Sequence, residues 1–515
     1  MHDTDVLIAG AGPTGLVLAL WLTRLGVRVR IVDKTDAPGT TSRALVVHAR
    51  TLELYRQAGL ASTIVERGLK FTAANLWTRG KLAAHLVFGD IGRGLTPFPY
   101  MLIYPQDEHE QMLLERLDAL SVRVERKTEL VDFRDEGERV VSRIRGASGA
   151  EEECAARFIA GCDGAHSRVR EVIGAGFPGG TYSRMFYVAD VEADGPVMNH
   201  ELHVALDDAD FLAAFPLAGE RRARLIGTVL ASAVSADRAL TWDDVSAPML
   251  ARMKVDVRNI NWFSAYHVHH RVANAFRKGS AFLAGDAAHI HSPVGGQGMN
   301  TGIGDAVNLA WKMAAVIAGR AAPRLLDTYE PERIAFANRL VQSTDRAFSL
   351  VTSDGPFAHF VRVYVVPLAL PVATRTRAFR RLMFRTVSQA AIEYRNSALS
   401  EGKAGRIAAG DRLPWVAGQG DDIAHDNHAP LSSQDWQVHV YGGANAELER
   451  LCAERGIALH AFAWRQETAD TGLARDATYL IRPDGYVAFA QAGGSPAAVA
   501  AYLDRWSIKP RSGPH

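Results

Sequence analysis

Residues 6–33 read VLIAGAGPTGLVLALWLTRLGVRVRIVD, and this stretch decides the fold. Its first four residues, Val6 to Ala9, form a short apolar run that is typical of a buried strand, and Val27 to Val32 form another. Between them, residues 14–25 carry apolar side chains at helical spacing. A glycine-rich turn, residues 10–15, joins the first strand to the helix. The stretch therefore predicts a β-α-β unit.

The turn has the spacing Gly-x-Gly-x-x-Gly, which dinucleotide-binding sites use. Gly10 allows the tight turn, Gly12 lets a pyrophosphate approach the backbone, and Gly15 lets the helix pack against the strand. The helix N-terminus offers free N–H groups to the phosphates. Asp33 ends the second strand, 33 − 15 = 18 residues past the last glycine, close to the spacing at which an acid binds a ribose hydroxyl. The motif predicts a dinucleotide site and fits an NAD-dependent dehydrogenase as well as a flavoprotein.

A glycine-rich stretch far downstream distinguishes these two classes. Residues 282–289 read FLAGDAAH, an apolar strand that ends in Gly285-Asp286, and residues 293–300 read PVGGQGMN. The aspartate places a carboxylate against a polyol, and the glycine-rich helix start offers N–H groups to an electron-rich ring carbonyl. A flavin needs both, because its ribityl chain and its ring oxygen must be held. The stretch therefore favours a flavin.

The second motif in chain order lies between these two, where residues 161–170 read GCDGAHSRVR, so residues 10–15 are the first motif and residues 282–300 are the third. With these three motifs in order, the chain resembles the single-component (class A) FAD-dependent aromatic hydroxylases over roughly residues 3–345. That group includes para-hydroxybenzoate hydroxylase and phenol hydroxylase. One departure is Asp33, where many relatives have Glu. The shorter acid can still accept a hydrogen bond from the adenosine ribose.

The resemblance implies which residues hold the cofactor. Arg43 and Gln106 are expected at the phosphate and ribityl regions of FAD, and Asp163 lies in a segment that serves both flavin and nicotinamide. Pro293 is expected beside the flavin ring. The full expected set is Gly10, Gly12, Pro13, Thr14, Gly15, Asp33, Lys34, Arg43, Gln106, Leu130, Asp163, Asp286 (ribityl chain), Pro293, and Gly298, Met299 and Asn300 (pyrimidine end of the ring). No catalytic base is assigned.

The resemblance also implies the reaction, which is hydroxylation of a phenolic or polycyclic aromatic compound with O2 and NAD(P)H. FAD is expected to bind tightly without a covalent link and to act through a C4a-hydroperoxide. The resemblance implies that NADPH or NADH binds only transiently, and the absence of a second Gly-x-Gly-x-x-Gly fits this expectation. The protein orients the flavin, excludes water and deprotonates or polarises the phenol. The choice between a small phenol and a large polyketide stays open, as does the choice of nicotinamide.

We expect an α/β fold with an FAD-binding Rossmann-like domain, a β-rich substrate domain and a C-terminal thioredoxin-like domain. Within the FAD-binding domain a long helix is expected near residues 305–318, and the C-terminal domain is expected to run strand, helix, strand, a hairpin that turns at Asp484-Gly485, and a final helix. This C-terminal order resembles the C-terminal domain of phenol hydroxylase and of polyketide hydroxylases, but it lacks Cys-x-x-Cys, and Cys452 has no partner thiol nearby. The expected boundaries are 1–180 for the first FAD-binding part (with 71–99 on the substrate side), 181–270 for the substrate domain, 271–345 for the second FAD-binding part, 346–400 for a helical connector and 401–515 for the C-terminal domain.

Composition sets the remaining expectations. The chain has 515 residues, 58 Lys plus Arg and 57 Asp plus Glu, so its net charge of +1 predicts no nucleic-acid or membrane partner. Three cysteines without close pairing are typical of a reduced compartment, and we expect a soluble, cytoplasmic protein. The most apolar tract, Val361 to Ala373, contains an arginine and two prolines and is too short to span a bilayer. Homodimer formation is left open.

Two other functions remain on sequence grounds. An FAD-dependent reductase or oxidase-type enzyme would share the motifs without substrate-gated hydroxylation, and a non-catalytic FAD-binding scaffold would do so without any reaction. The Trp-x-Trp-x-Ile segment of flavin-dependent halogenases and the Gly-x-Ser-x-Gly of serine hydrolases are absent. His267, His269 and His270 have no matching acid or cysteine, so no metal site is expected. His48 and His289 either line the flavin pocket or serve packing.

Overall fold

The structure, a computed structural model, describes residues 3–39, 44–87, 89, 91–205, 211–230, 240–292, 295–352, 355, 359–418, 424–493 and 495–511. Its strands, in chain order, are β1 (Thr4–Ala9), β2 (Val29–Val32), β3 (Val46–Val47), β4 (Leu69–Phe71), β5 (Ala73–Thr78), β6 (Lys81–Val87), β7 (Met101–Ile103), β8 (Val124–Glu125), β9 (Glu129–Asp135), β10 (Val140–Arg145), β11 (Glu151–Gly161), β12 (Gly179–Asp194), β13 (Leu202–Ala205), β14 (Leu212–Pro216), β15 (Arg222–Leu230), β16 (Asp256–Val272), β17 (Arg277–Lys278), β18 (Ala281–Leu283), β19 (His289–Ile290), β20 (Glu401–Ala404), β21 (Ile407–Ala408), β22 (Gln437–Tyr441), β23 (Ala458–Phe462), β24 (Thr478–Ile481) and β25 (Val487–Gln491).

The α-helices are α1 (Pro13–Arg24), α2 (Ala49–Gln57), α3 (Ala61–Arg67), α4 (Gln106–Asp118), α5 (Arg168–Val172), α6 (Ala247–Arg252), α7 (Gly298–Ile317), α8 (Tyr329–Thr352), α9 (Val366–Ala373), α10 (Arg377–Val387), α11 (Ala446–Arg455), α12 (Gln466–Thr471) and α13 (Pro496–Trp506). None of these helices, over the described part of the chain, combines the length and apolar character needed to cross a membrane.

The first sheet has a parallel core in the order β18-β11-β1-β2-β8. The β9–β10 hairpin extends it antiparallel to β11, and β17 pairs antiparallel with β18. Val6, Leu7 and Ile8 of β1 are fully buried, because a parallel strand with helices on both faces needs apolar residues in every position. The β-α-β unit is confirmed: β1, α1 and β2 follow one another, and α1 packs against α7.

The second sheet is mostly antiparallel, in the order β19-β16-β12-β15-β14-β13-β5-β6. Its long strands β12 and β16 come from the strand-rich part of the sequence, while β5 and β6 come from residues 73–87 and join through parallel pairing of β5 with β13. In a small third sheet, β3-β7-β4, the strands β3 and β4 precede β5 in the chain and β7 follows β6. The strand-rich region is thus one curved layer that receives strands from a distant segment.

The C-terminal sheet has the order β21-β20-β25-β24-β22-β23. The predicted order of strand, helix, strand, hairpin and helix is present as β22, α11, β23, β24–β25 and α13. Asp484-Gly485 lies in the hairpin loop, where Gly485 adopts a φ of 77° that a side chain would disfavour. Cys452 is buried on α11 as a free thiol.

One element begins earlier than the sequence suggested. The apolar spacing placed the long helix near residues 305–318, whereas α7 begins at Gly298, 305 − 298 = 7 residues sooner. Glycines and polar residues disfavour a helix locally. Here close packing overrides that tendency, because a Cβ on Gly302 would lie 2.3 Å from Oγ1 of Thr14 in α1.

Candidate functional site

The turn between β1 and α1 has glycines with two different surroundings. At Gly10 the φ is 101°, and a Cβ would lie 2.3 Å from the carbonyl oxygen of Cys162 in the second motif. At Gly15 a Cβ would lie 2.0 Å from the carbonyl oxygen of Gly10. At Gly12, which is the N-cap of α1, a Cβ would meet nothing within 4 Å. Gly12 therefore borders open space at the helix end, where the N–H groups have no helical partner.

Asp33 lies at the end of β2 and turns its carboxylate back to this glycine turn. Its Oδ2 accepts a hydrogen bond from the N–H of Ala11 at 2.6 Å, and its Oδ1 accepts from the N–H and the hydroxyl of Thr35 at 2.8 and 2.6 Å. A carboxylate has about four acceptor positions, so capacity remains for a ribose hydroxyl. Lys34 is exposed beside it.

A cavity of about 510 Å³ lies between the chain that follows Asp33 and the start of α4. It is lined by Ala37, Pro38, Gly39, Arg67, Tyr104, Asp107, Glu108 and Gln111. Gln106 is the first residue of α4 and donates from Nε2 to Glu110 at 2.8 Å. The cavity therefore joins the segment after Asp33 to the start of α4, where Asp107 and Glu108, the neighbours of Gln106, line it.

The second motif holds a buried carboxylate. Oδ2 of Asp163 accepts from the N–H groups of Arg168 and Val169 at 2.7 and 3.2 Å, while Oδ1 is buried and has no hydrogen-bond partner among the described residues. Burial raises the pKa of Asp163 above its usual value. An orphaned buried oxygen of this kind is a place for a ligand donor.

Arg170, at the end of the same motif, links it to the third. Its Nη1 donates to the carbonyl oxygen of Ala287 at 3.0 Å, and its Nη2 donates to that of Ala165 at 2.7 Å. Arg170 ends the motif, and the motif by itself predicts no role for it. The hydrogen bond from Arg170 to Ala287 could not be predicted from residue spacing, because the two residues are 117 positions apart.

The third motif packs against the first through Thr14. Gly285 has a φ of 61°, and a Cβ there would lie 2.6 Å from Oγ1 of Thr14. Gly302 in α7 approaches the same hydroxyl from another side, and a Cβ on it would lie 3.2 Å from Cα of Gly285. Asp286 is exposed, next to this contact. The first and third motifs, which are far apart in sequence, therefore meet at Thr14, while the first meets the second at Gly10.

The start of α7 is tied to the segment before α2. Oδ1 of Asn300 accepts from the N–H of His48 at 2.9 Å and from Oγ1 of Thr51 at 2.7 Å, and its Nδ2 donates to the carbonyl oxygens of Val46 and Gly296. Because both ends of the amide are engaged, a ring at this place would meet the backbone N–H groups of the first helical turn. Gly298 and Met299 begin that turn.

His48 is fully buried as the N-cap of α2. Its Nε2 donates to the carbonyl oxygen of Gly295 at 2.9 Å, and its Nδ1 has no partner among the described residues. Burial lowers its pKa to about 4, so the ring is neutral at pH 7. His48 therefore contacts the glycine-rich loop that precedes α7.

The other expected cofactor residues fall into two groups. Leu130 is buried in β9, next to Val131, whose carbonyl oxygen accepts from Nε of Arg168 in the second motif. Arg43 and Pro293 lie outside the described residues. Within the part of the chain that is described, no group of three His, Cys, Asp or Glu side chains could hold a metal ion.

An apolar cluster adjoins the start of α7. A Cβ on Gly296 would lie 3.1 Å from Cβ of Val46, and Val46 belongs to a cluster between the third sheet and the second. The buried members are Leu45, Val46, Phe71, Ile103 and Leu217, with Leu69, Met101, Leu202 and Phe215 packed against them. The site thus has a water-excluding wall beside its backbone donors.

These residues fit flavin adenine dinucleotide. The open N-terminus of α1 suits a pyrophosphate, the carboxylate of Asp33 suits a ribose, exposed Asp286 suits a polyol, and the start of α7 suits a ring carbonyl. The orphaned oxygen of Asp163 adds one more acceptor.

Comparison with known proteins agrees with this geometry. Residues 3–344 match the family described as FAD binding domain, and residues 407–510 match the family described as aromatic-ring hydroxylase, C-terminal. The chain is 36% identical to the 6-methylpretetramide 4-monooxygenase of Streptomyces rimosus, over 94% of this chain and 90% of that protein.

Two solved structures cover nearly the whole chain. The anhydrotetracycline hydroxylase OxyS from Streptomyces rimosus matches with a TM-score of 0.78 and 28% identity, covering 99% of this chain and 100% of that one. Aklavinone-11 hydroxylase, solved with FAD and aklavinone, matches with a TM-score of 0.77 and 25% identity, covering 99% of each chain. The chain therefore belongs to the FAD-dependent aromatic-ring hydroxylases and is a flavoprotein monooxygenase of that family.

Proposed function

We propose that the protein hydroxylates a multi-ring phenolic compound of the polyketide type, using tightly bound FAD, O2 and either NADPH or NADH. The observation that carries the proposal is the meeting of three cofactor motifs, the first with the second at Gly10 and the first with the third at Thr14. Gly296 of the third motif lies beside the apolar cluster around Val46. The class of substrate is supported by relatives named for 6-methylpretetramide, anhydrotetracycline and aklavinone, which match nearly the full length of this chain.

The protein's own groups have separate tasks in this proposal. The N–H groups at the start of α1, beside Gly12, bind the pyrophosphate, and Asp33 accepts from the adenosine ribose. Asp286 accepts from the ribityl hydroxyls. The first turn of α7, at Gly298, donates to the pyrimidine end of the ring and stabilises negative charge there.

Bound FAD supplies the redox chemistry, since it can accept a hydride from a nicotinamide and transfer one oxygen atom of O2. The apolar cluster around Val46 has to keep water away from the reacting ring, so that oxygen is transferred to the substrate rather than released as peroxide. The side chain that takes the phenolic proton is left unassigned. The transient site for the nicotinamide is proposed next to Asp163, whose Oδ1 has no partner among the described residues.

The test is the anaerobic rate of flavin reduction by NADPH and by NADH, with and without a panel of simple phenols and polycyclic phenols. Acceleration by a polycyclic compound, followed by its hydroxylation when O2 is admitted, supports the proposal. Acceleration by simple phenols alone would overturn the proposed substrate class. Fast reduction that ignores every compound would indicate a reductase without substrate gating.

We also propose a cytoplasmic location and a homodimer. A cytoplasmic location is supported by three cysteines that are buried free thiols. A homodimer is supported by exposed apolar side chains, among them Leu368, Val372 and Leu382, on α9 and α10. Sedimentation equilibrium across a concentration series measures the oligomeric state, and a constant monomer mass would overturn the proposed homodimer.

A further inference from the structure

A carboxylate that the cofactor motifs do not include lies directly behind the Gly285-Asp286 turn. Asp305 of α7 is buried, with only 1% of its side chain exposed, and its Oδ2 accepts from the backbone N–H of Gly285 at 3.0 Å. The same oxygen accepts from Nε2 of His289 at 2.8 Å. One carboxylate oxygen therefore holds both ends of the segment that presents Asp286.

Arg333 of α8 holds the other oxygen of this carboxylate. Its Nε donates to Oδ1 of Asp305 at 2.5 Å, its Nη2 to the carbonyl oxygen of Thr301 at 3.1 Å, and its Nη1 to the hydroxyl of Tyr394 at 2.7 Å. All three contacts are buried. Arg333 thus fixes the side chain of Asp305 and the backbone of the same helix with one rigid guanidinium.

Tyr394 anchors this arrangement to the C-terminal sheet. Its N–H donates to the carbonyl oxygen of Gly410 at 2.8 Å, and its ring lies 4.4 Å from the ring of Tyr486, which follows the β24–β25 turn. Arg482 of the same hairpin lies over the ring of Tyr394 at 5.2 Å. Asp305, Arg333 and Tyr394 form a continuous buried chain of contacts, which we call the Asp305 relay.

The charges around the relay are balanced, because three buried carboxylates (Asp305, Glu332 and Asp484) pair with three buried cations (Arg333, Lys312 and Arg482). Glu332, next to Arg333 on α8, accepts from Nζ of Lys312 at 2.8 Å and from both Nη atoms of Arg482 at 2.8 and 3.0 Å. Although burial alone would raise the pKa of Asp305, Arg333 and His289 hold it below its usual value. Removing one charge here leaves a buried partner uncompensated, so the relay has one stable arrangement.

We propose that Asp305 is a positioning residue for the cofactor: it fixes the Gly285 turn that presents Asp286, and Tyr394 carries this constraint to the C-terminal sheet. The inference rests on the proposed function, in which Asp286 binds the ribityl chain. It explains why a carboxylate is buried directly behind the turn that presents Asp286. It also gives the C-terminal sheet a task at the flavin site without a redox-active cysteine.

The experiment measures the Kd for FAD of the full chain by flavin fluorescence, together with the Tm, for Asp305→Asn, Asp286→Ala and the double variant. We expect Asp305→Asn to weaken FAD at least about tenfold, because an amide cannot accept from the turn and pair with Arg333 as the carboxylate does. If Asp305 acts through the Gly285 turn, Asp305→Asn should raise the Kd for FAD by less than about threefold when Asp286 is already alanine.

Two further variants keep the test decisive. Tyr394→Phe removes a single hydroxyl from the relay and is expected to weaken FAD by about threefold while the protein still folds. Asp190→Asn is the matched control, because it breaks the ion pair with buried Arg224 in the second sheet, at 2.6 Å, away from the cofactor turn. That control is expected to lower the Tm and leave the Kd for FAD unchanged.

Two outcomes overturn the inference. One is a Kd of Asp305→Asn and Tyr394→Phe within about twofold of the wild type, and the other is an effect of Asp305→Asn that is undiminished in the Asp286→Ala background. If Asp286→Ala itself binds FAD normally, the site assignment of the proposed function fails instead. The two failures are therefore distinguishable.

Discussion

The substitution Gly12→Ala separates a glycine needed by the ligand from glycines needed by the fold. Gly12 has an ordinary φ of −76°, and a Cβ there meets nothing within 4 Å in the protein. Alanine at such a position restricts the unfolded chain and stabilises the folded one by about 0.4–1 kcal/mol. We therefore expect the FAD-free protein to keep its Tm or to gain slightly.

FAD binding is expected to respond in the opposite direction. The added methyl group stands where the pyrophosphate has to approach the start of α1, and inserting a methyl group into close packing costs about 1–3 kcal/mol. With about 1.4 kcal/mol per tenfold change, the Kd for FAD should rise roughly 5- to 150-fold. A variant that is at least as stable and yet binds poorly has lost contact with the ligand and has kept the fold.

The assay combines calorimetry of the FAD-free protein with a fluorescence titration of FAD. Gly146→Ala is the matched control, because its nearest contact would be 4.0 Å away, in the loop between β10 and β11 far from the three motifs. Like Gly12→Ala, this control should keep the Tm of the FAD-free protein or raise it slightly, but it should leave the Kd for FAD unchanged. A Kd of Gly12→Ala within about twofold of the wild type would refute the reasoning, and so would a marked loss of Tm without FAD.

Three further predictions concern the fold around the site. Gly10→Ala should lower the Tm of the FAD-free protein, because a left-handed φ alone costs about 1–2 kcal/mol and the Cβ would also clash with a carbonyl; an unchanged Tm contradicts this. Arg170→Leu leaves two carbonyl oxygens without their donor, so the free energy of unfolding should fall by about 1–3 kcal/mol and the affinity for FAD should fall as well. Chemical denaturation measures the first effect and FAD titration the second. An unchanged FAD affinity would argue against a link between the motifs. Burial alone would raise the pKa of Glu332, but Arg482 and Lys312 hold that pKa well below its usual value. The ionised carboxylate therefore stabilises the fold above pH about 4.3, and this stabilisation is lost as the pH falls further. Glu332→Gln should lower the free energy of unfolding by about 3–5 kcal/mol at pH 7, and its Tm should depend less on pH on the acid side than that of the wild type. A variant with the wild-type pH dependence would show that another group controls the loss of stability in acid.

Two details of the site could not be predicted from sequence. Asn300 was expected at the pyrimidine end of the flavin ring, and that stays a prediction. What residue spacing did not indicate is that its Oδ1 accepts from the N–H of His48 and the hydroxyl of Thr51, while its Nδ2 donates to the carbonyl oxygen of Val46. The long helix was expected near residue 305 but begins at Gly298. In both cases the deciding partner comes from a segment more than 200 residues away, which local spacing does not report.

The sequence by itself determined the β-α-β unit and a dinucleotide site, because glycine spacing at a strand end and an acid at the next strand end are local patterns with a direct physical cause. The downstream Gly285-Asp286 stretch favoured a flavin, and the three motifs in order indicated the family by resemblance. Only the tertiary structure decided that the first motif meets the second at Gly10 and the third at Thr14, and that Asp305 is paired with Arg333. Those contacts depend on how α7 and α8 pack against α1 and the C-terminal sheet. Burial makes each of these pairings specific, since a charged or polar group inside the protein is stable only with its partner in place.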